Sequence, residues 1–126
     1  MRTIAVINQK GGVGKTTTTA NLAHALAIKG HSVTGIDMDP QGHLAAHWGC
    51  YRKDEHGVDQ ILLGEKILPQ VAIAARERLH LVPAGAGLKA IERGECGEIA
   101  VSQLKEALLL AANTQDFAFI DCPPAS

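Results

Sequence analysis

Apolar residues along this chain recur in two rhythms, short unbroken runs and helical spacings, and polar stretches separate them. Ile4, Ala5, Val6 and Ile7 form a first run that predicts a strand. From Thr16 to Lys29, Leu22, Ala23, Leu26 and Ala27 recur at helical spacing and predict one apolar face, with Lys29 and Gly30 as the stop. Ser32–Ile36 predicts a second short strand, and Gly57–Gly64, carrying Val58, Ile61, Leu62 and Leu63, a short helix. Ile67–Ala75 is apolar and fits helix turns and strand equally well. Leu79–Val82 predicts a further strand, halted by Pro83 and the loop from Ala84 to Gly87, and Leu88–Arg93 one or two helical turns. Glu98–Ala112 predicts a firmer helix, with Val101, Leu104, Leu108 and Ala111 inward, Lys105 and Glu106 outward, and Asn113 as its stop. Phe117, Ala118, Phe119 and Ile120 run without alternation, as a central parallel strand covered on both faces does.

Composition narrows this picture little. With 126 residues the chain is at most one domain, short for a complete nucleotide-binding fold. A net charge of -1 gives no global electrostatic case for nucleic acid, and the pairs Arg52 with Lys53 and Arg76 with Arg78 read as solvated surface. Three cysteines, Cys50, Cys96 and Cys122, odd in number and without a CxxC pair, predict a reducing, cytoplasmic setting. The N-terminus lacks the pattern of a signal peptide, and no apolar stretch approaches the roughly 18 residues a membrane span needs. Four aromatic residues are too few for interleaved base stacking, so Trp48 is expected to pack under a short helix spanning part of His43–Tyr51.

The chemistry concentrates in three polar stretches that follow predicted strands. The first is Asn8–Thr17, Asn-Gln-Lys-Gly-Gly-Val-Gly-Lys-Thr-Thr, a strand-to-helix turn. Gly11, Gly12 and Gly14 free the backbone to aim successive N–H groups at one phosphate, and the helix N-terminus adds partial positive charge. Lys15 is then placed for the β- and γ-phosphate oxygens, and the Thr16 hydroxyl for a Mg²⁺ shell. The common pattern GxxxxGK[ST] demands glycine at position 9, where this chain has Gln9, and a second lysine, Lys10, opens the loop. The second stretch is Asp37-Met38-Asp39-Pro40-Gln41-Gly42, two carboxylates leaving a strand at the edge where α/β folds bind ligands. The third is Asp121, at the carboxyl end of the buried run, followed by Cys122-Pro123-Pro124. His43 and His47, four apart, with Cys50 beyond, raise the possibility of a zinc site, but no convincingly spaced fourth ligand closes one.

Together, KGGVGKTT, DMDPQG and IDCPP resemble the deviant Walker A, Walker A′ and Walker B segments of the ParA/MinD superfamily, nearest to Soj-like partition ATPases. The resemblance spans residues 1–126 and implies an α/β P-loop NTPase fold: a mostly parallel sheet flanked by helices, here the N-terminal part of a larger nucleotide-binding domain cut after the Walker B strand. It implies Mg²⁺-dependent hydrolysis of ATP, with Lys10, Gly11, Gly12, Val13, Gly14, Lys15, Thr16 and Thr17 on the nucleotide. Thr16, Asp37 and Asp121 would serve the metal, Asp39 would position the attacking water, and Lys15 would hold the phosphates. Lys10 would reach the nucleotide of a second subunit, making an ATP-dependent homodimer. Family partners would be a ParB-like stimulating protein and non-specific DNA. A MinD-like membrane-cycling regulator would need an amphipathic C-terminal helix that this chain lacks. An iron–sulfur ATPase would place its cysteines differently from Cys96 and Cys122. A nucleotide-binding scaffold without turnover is the reading that length alone favours.

Overall fold

The computed structural model describes residues 1–7, 13–50, 56–92 and 97–122. Lys10, Gly11 and Gly12, the Arg52/Lys53 pair and Cys96 lie outside these residues. In chain order the elements are β1 (Arg2–Ile7), α1 (Val13–Ile28), β2 (Val33–Asp37), α2 (His43–His47), α3 (Val58–Leu62) and α4 (Leu68–Val71). They continue with β3 (Ile73–Arg76), β4 (Leu79–Val82), α5 (Leu88–Glu92), α6 (Gly97–Ala111) and β5 (Phe117–Cys122).

The strands form one sheet in the order β1-β5-β2-β4-β3, parallel except for the edge pair β3–β4. The last strand of the chain thus lies between the first two, as the unbroken Phe117–Ile120 run predicts for a strand with neighbours on both sides. Register carries the functional consequence. Asp121 stands opposite Val6 on one side and Asp37 on the other, so the carboxyl ends of β1, β5 and β2 finish level.

Strand alternation sends side chains to two separate cores. On one face Ile36 and Val82 pack with Val58, Ile61 and Leu62 of α3 and with Leu88 and Ala107. On the other, Val33, Leu79, Leu81 and Phe119 pack beneath α1 and α2. The predicted apolar face of α1 holds at Ala23 and Ala27 and at Leu26, which packs against the core, but not at Leu22. Ala20, Ala23 and Ala27 are fully buried, whereas Leu22 is 49% exposed. Side chains of one carbon let the helix axis come close to the sheet, and that close seat leaves the bulkier Leu22 outside. Trp48 does pack under a short helix: it is buried over Gly35, where a Cβ would lie 2.8 Å from the indole ring. Gly35 is therefore the gap in β2 that admits the ring.

The ambiguous stretch Ile67–Ala75 divides into both alternatives. Pro69 sits in the first turn of α4, where its missing N–H costs no helical bond. The chain then extends into β3, which turns back through Glu77 and Arg78 into β4. Arg78 takes a left-handed backbone (φ 60°), and its Nε donates to the carbonyl of Ala27 at 3.1 Å, closing the end of α1. Arg76 donates to the Trp48 carbonyl at 3.1 Å. These two exposed arginines fasten backbone ends as well as meeting solvent.

Candidate functional site

Helix α1 begins at Val13, so the second half of the glycine-rich stretch is already helical and the helix starts earlier than its apolar spacing predicts. Gly14, Lys15 and Thr17 are exposed on the first turn, while Thr16 is buried. A helix leaving a strand edge turns its first N–H groups and partial positive charge outward. The Thr16 hydroxyl donates to Asp121 Oδ2 at 3.1 Å, a bond between residues 105 apart in sequence. It ties the start of α1 to the end of β5.

Asp121 and Asp37 are both fully buried and are direct partners in the β5–β2 register. The Met38 N–H donates to the Asp121 carbonyl at 2.9 Å, which continues the pairing past the end of β2. Asp37 accepts the Asp39 N–H on Oδ1 and the Ala45 N–H on Oδ2, each at 3.3 Å. These bonds favour its charged form, but burial outweighs them, and the charges of Asp121 and Asp39 act in the same direction as burial. The Asp37 carboxyl is raised from 3.8 to about 7. Such a site gains from a cation.

Asp39 starts the turn beyond β2. Its Oδ1 accepts the Gln41 N–H at 3.0 Å, and its carbonyl accepts the Gly42 N–H at 2.9 Å. Gly42, in the left-handed region at φ 67°, is the N-cap of α2. His43 Nδ1 stands 4.0 Å from Asp39 Oδ2, with the imidazole about half exposed. Cys122, one residue beyond Asp121, has its thiol raised by burial and then by the Asp121 charge.

Four of the residues expected to act together, Thr16, Asp37, Asp39 and Asp121, therefore meet at one sheet edge, with Lys15 one residue from Thr16. Lys10, Gly11 and Gly12 lie outside the described residues, and Val13 is the first residue of α1. Among the described residues no three His, Cys, Asp or Glu side chains form a metal-holding group, so His43, His47 and Cys50 do not make one. The Cys50 thiol instead donates to the Trp48 carbonyl at 3.5 Å. Among the described residues no helix is long and apolar enough to cross a membrane.

Sequence reasoning missed Asp59. It is buried in α3 and accepts N–H groups from Gly57 (2.8 Å), Gln60 (2.9 Å) and Gly87 (3.0 Å). Its own N–H donates to the Ala84 carbonyl at 3.2 Å. One carboxylate thus fixes the loop leaving β4, and because Val82 pairs with Ile36, that loop borders the Asp37 edge. A Cβ on Gly85 would fall 2.0 Å from Asp59 Oδ1, so the two glycines of Pro83–Gly87 make room for the carboxylate. An acid early in a helix was legible as a local preference; its grip on a loop 28 residues away was not.

A family model described as AAA domain matches residues 1–126. The chain is 38% identical to the chromosome partitioning protein ParA of Caulobacter vibrioides over 131 residues, covering 99% of this chain and 49% of that protein. It is 38% identical to the sporulation initiation inhibitor protein Soj of Bacillus subtilis over 125 residues, 97% of this chain and 49% of Soj. Among solved structures it resembles a cobyrinic acid a,c-diamide synthase of Mycobacterium smegmatis with bound ATP analogue and magnesium. The TM-score there is 0.85 at 36% identity, over 99% of this chain and 52% of that one. The chain spans about half the length of the curated relatives it matches.

Proposed function

This chain belongs to the AAA domain family, among relatives that include ParA and Soj, and from that premise we propose that it is the phosphate- and metal-binding half of a partition-type ATPase. The observation that carries the reading is the 3.1 Å bond from Thr16 to Asp121, beside the buried Asp37. It joins the helix that follows the glycine-rich loop to the strand-end carboxylate in one hard-oxygen cluster.

The residues present fit Mg²⁺. A hydroxyl and buried carboxylates are oxygen donors of the type this ion takes, and one or two carboxylates suffice where phosphate oxygens and water fill the remaining positions. Asp37, held near neutrality by its surroundings, gains from a nearby cation. Thr16 and Asp121 would hold the ion, with Asp37 supporting them, and the bound ion would neutralise phosphate charge. Lys15 would meet the β- and γ-phosphates, and the backbone N–H groups of Gly11, Gly12 and the first turn of α1, Val13–Thr17, would cradle them. Asp39, kept in place by Gln41 and its own turn, orients the attacking water. Catalysis of this kind is mainly positioning and charge neutralisation.

Lys10 reaches the nucleotide of a second copy, so ATP favours a homodimer and hydrolysis releases it. The partners in this reading are a ParB-like stimulating protein and non-specific DNA, taken from the motif resemblance, and the setting proposed is the cytoplasm. The test is light scattering with MgADP and with a non-hydrolysable MgATP analogue, together with phosphate release from MgATP. The analogue is expected to dimerise the wild type and leave Lys10→Ala monomeric. Lys15→Ala is expected to lose nucleotide binding, and Asp39→Ala to bind the analogue without turnover. Nucleotide affinity unchanged by Lys15→Ala would overturn the reading.

A further inference from the structure

The Asp39 carboxylate, buried in the turn beyond β2, has one oxygen held and one open. Oδ1 accepts the Gln41 N–H at 3.0 Å, and Oδ2 accepts no hydrogen bond among the described residues. A carboxylate held at a single oxygen still rotates, because its terminal torsion is broad, so the turn alone does not set where the second oxygen points. Charge works against order here as well. Asp37 and Asp121 are fully buried at the same sheet edge, and the charges of Asp37 and Asp39 oppose each other. A cation beside Thr16 would relieve Asp37 and Asp121, whereas Asp39 stands in the next turn of chain.

The side chain set against the open oxygen is His43, four residues on, with Nδ1 at 4.0 Å from Oδ2. Among the described residues no lysine or arginine pairs with Asp39. The helix that His43 begins does not account for an imidazole at this position. His43 directly follows the N-cap Gly42, where no side chain caps the helix, and the free N–H groups of a first turn oppose an imidazolium. Packing does not account for it either, since the ring is half exposed while Leu44 and Ala45 fill the core behind it. The backbone that carries the ring is nevertheless fixed to the carboxylate cluster: Gly42 N–H donates to the Asp39 carbonyl at 2.9 Å and Ala45 N–H to Asp37 Oδ2 at 3.3 Å.

We propose that His43 is a positioning residue for the hydrolytic step. Its ring N–H fixes Asp39 Oδ2 as the Gln41 N–H fixes Oδ1, so the plane of the carboxylate is set from both ends. This rests on the reading of Asp39 as the group that orients the attacking water. An ionised carboxylate offers about four lone-pair sites, so two N–H donors still leave two for water. A separation of 4.0 Å is longer than a hydrogen bond, but a half-exposed ring is free to close it, and bonds of this kind tighten when substrate is bound. A half-exposed ion pair adds little to stability, whereas a positioned group displaced by about 1 Å costs up to about 10²-fold in rate. The contribution of His43 therefore falls on turnover and not on nucleotide binding.

His43→Leu removes the ring N–H and keeps a side chain of similar bulk, and His43→Gln keeps an N–H donor. Phosphate release from MgATP is measured for both beside wild type and Asp39→Ala, together with affinity for a non-hydrolysable MgATP analogue. His43→Leu should lower kcat about tenfold while KM and analogue affinity change by less than about twofold. His43→Gln should recover kcat to within about threefold of wild type, which a purely structural role for the ring would not produce. A second readout needs no nucleotide: the His43 ring ¹⁵N resonances should move in Asp39→Asn and stay in place in Asp116→Asn, at the opposite end of the sheet. The role of His43 is overturned by unchanged kcat in His43→Leu, by a loss that His43→Gln does not recover, by a raised KM at unchanged kcat, or by a ring insensitive to Asp39→Asn. Absence of turnover in the wild type, or undiminished turnover in Asp39→Ala, instead overturns the ATPase reading, and this proposal with it.

Discussion

Replacing Asp37 by asparagine removes the buried carboxylate whose titration the fold displaces most clearly, and the consequence depends on pH in a way that can be worked through. A carboxyl raised from 3.8 to about 7 keeps a proton in the folded protein that the unfolded chain has already released. Between these values the folded state binds more protons, so stability falls as pH rises, by about 1.4 kcal/mol per pH step. The penalty is absent below about pH 4 and complete above about pH 7. Between pH 5 and pH 8 the wild type should therefore lose roughly 2.5 kcal/mol from this group alone. Asparagine carries no such penalty. It has one acceptor oxygen for two N–H groups, from Asp39 and Ala45, so one donor is left poorly met at a cost of about 1–3 kcal/mol. At pH 5 the wild type already carries roughly 1.5 kcal/mol of this penalty and at pH 8 roughly 4, so Asp37→Asn should be about as stable as wild type at pH 5 and more stable than it at pH 8.

The assay is urea unfolding followed by circular dichroism from pH 5 to pH 8 in EDTA without nucleotide, so that no cation compensates the carboxylates. A stability difference between the two proteins that changes by less than about 0.5 kcal/mol over this range would refute the reasoning, since linkage ties the slope directly to the displaced proton.

Asp59→Ala should destabilise the protein by about 2–4 kcal/mol, because three N–H groups lose one buried acceptor, and protease cleavage should rise first in the Pro83–Gly87 loop. Gly35→Ala should cost about 1–3 kcal/mol by chemical denaturation, as the new Cβ meets the Trp48 ring, and should shift tryptophan emission. The Cys122 thiol should alkylate slowly with iodoacetamide at pH 8, read by peptide mass spectrometry, and faster in Asp121→Asn, which removes the charge but not the burial.

The parts of this molecule legible from sequence are those whose cause is local. The unbroken Phe117–Ile120 run reads as a strand with neighbours on both sides because nothing in it tolerates solvent, and β5 does lie between β1 and β2. Asp37 and Asp121 each announce themselves by ending such a strand, and parallel register does the rest by bringing the two ends level. The buried face of α1 follows its spacing at Ala23, Leu26 and Ala27 and departs from it at Leu22: spacing identifies which residues share a side, but the distance from helix to sheet decides which of them count. Alanines allow a closer seat than leucines, so Ala20, Ala23 and Ala27 are buried and Leu22 is not.

The same reasoning explains why Asp59 and His80 escaped notice, and why they have opposite characters. Both depend on residues distant in sequence that are neighbours through strand pairing or helix packing. At Asp59 the distant partners converge, and the backbone of Pro83–Gly87 closes around a carboxylate through glycines that leave room for it. At His80 they stand apart: among the described residues Ala74 and Thr34, its strand partners, and the alanines of α6 supply no bond for Nδ1. A buried acid whose two oxygens are met holds a loop in place; a buried imidazole nitrogen with no partner among the described residues leaves a polar atom uncompensated at a cost in stability. The distinction is one of satisfaction rather than residue type, and it becomes visible only once the sheet order is known.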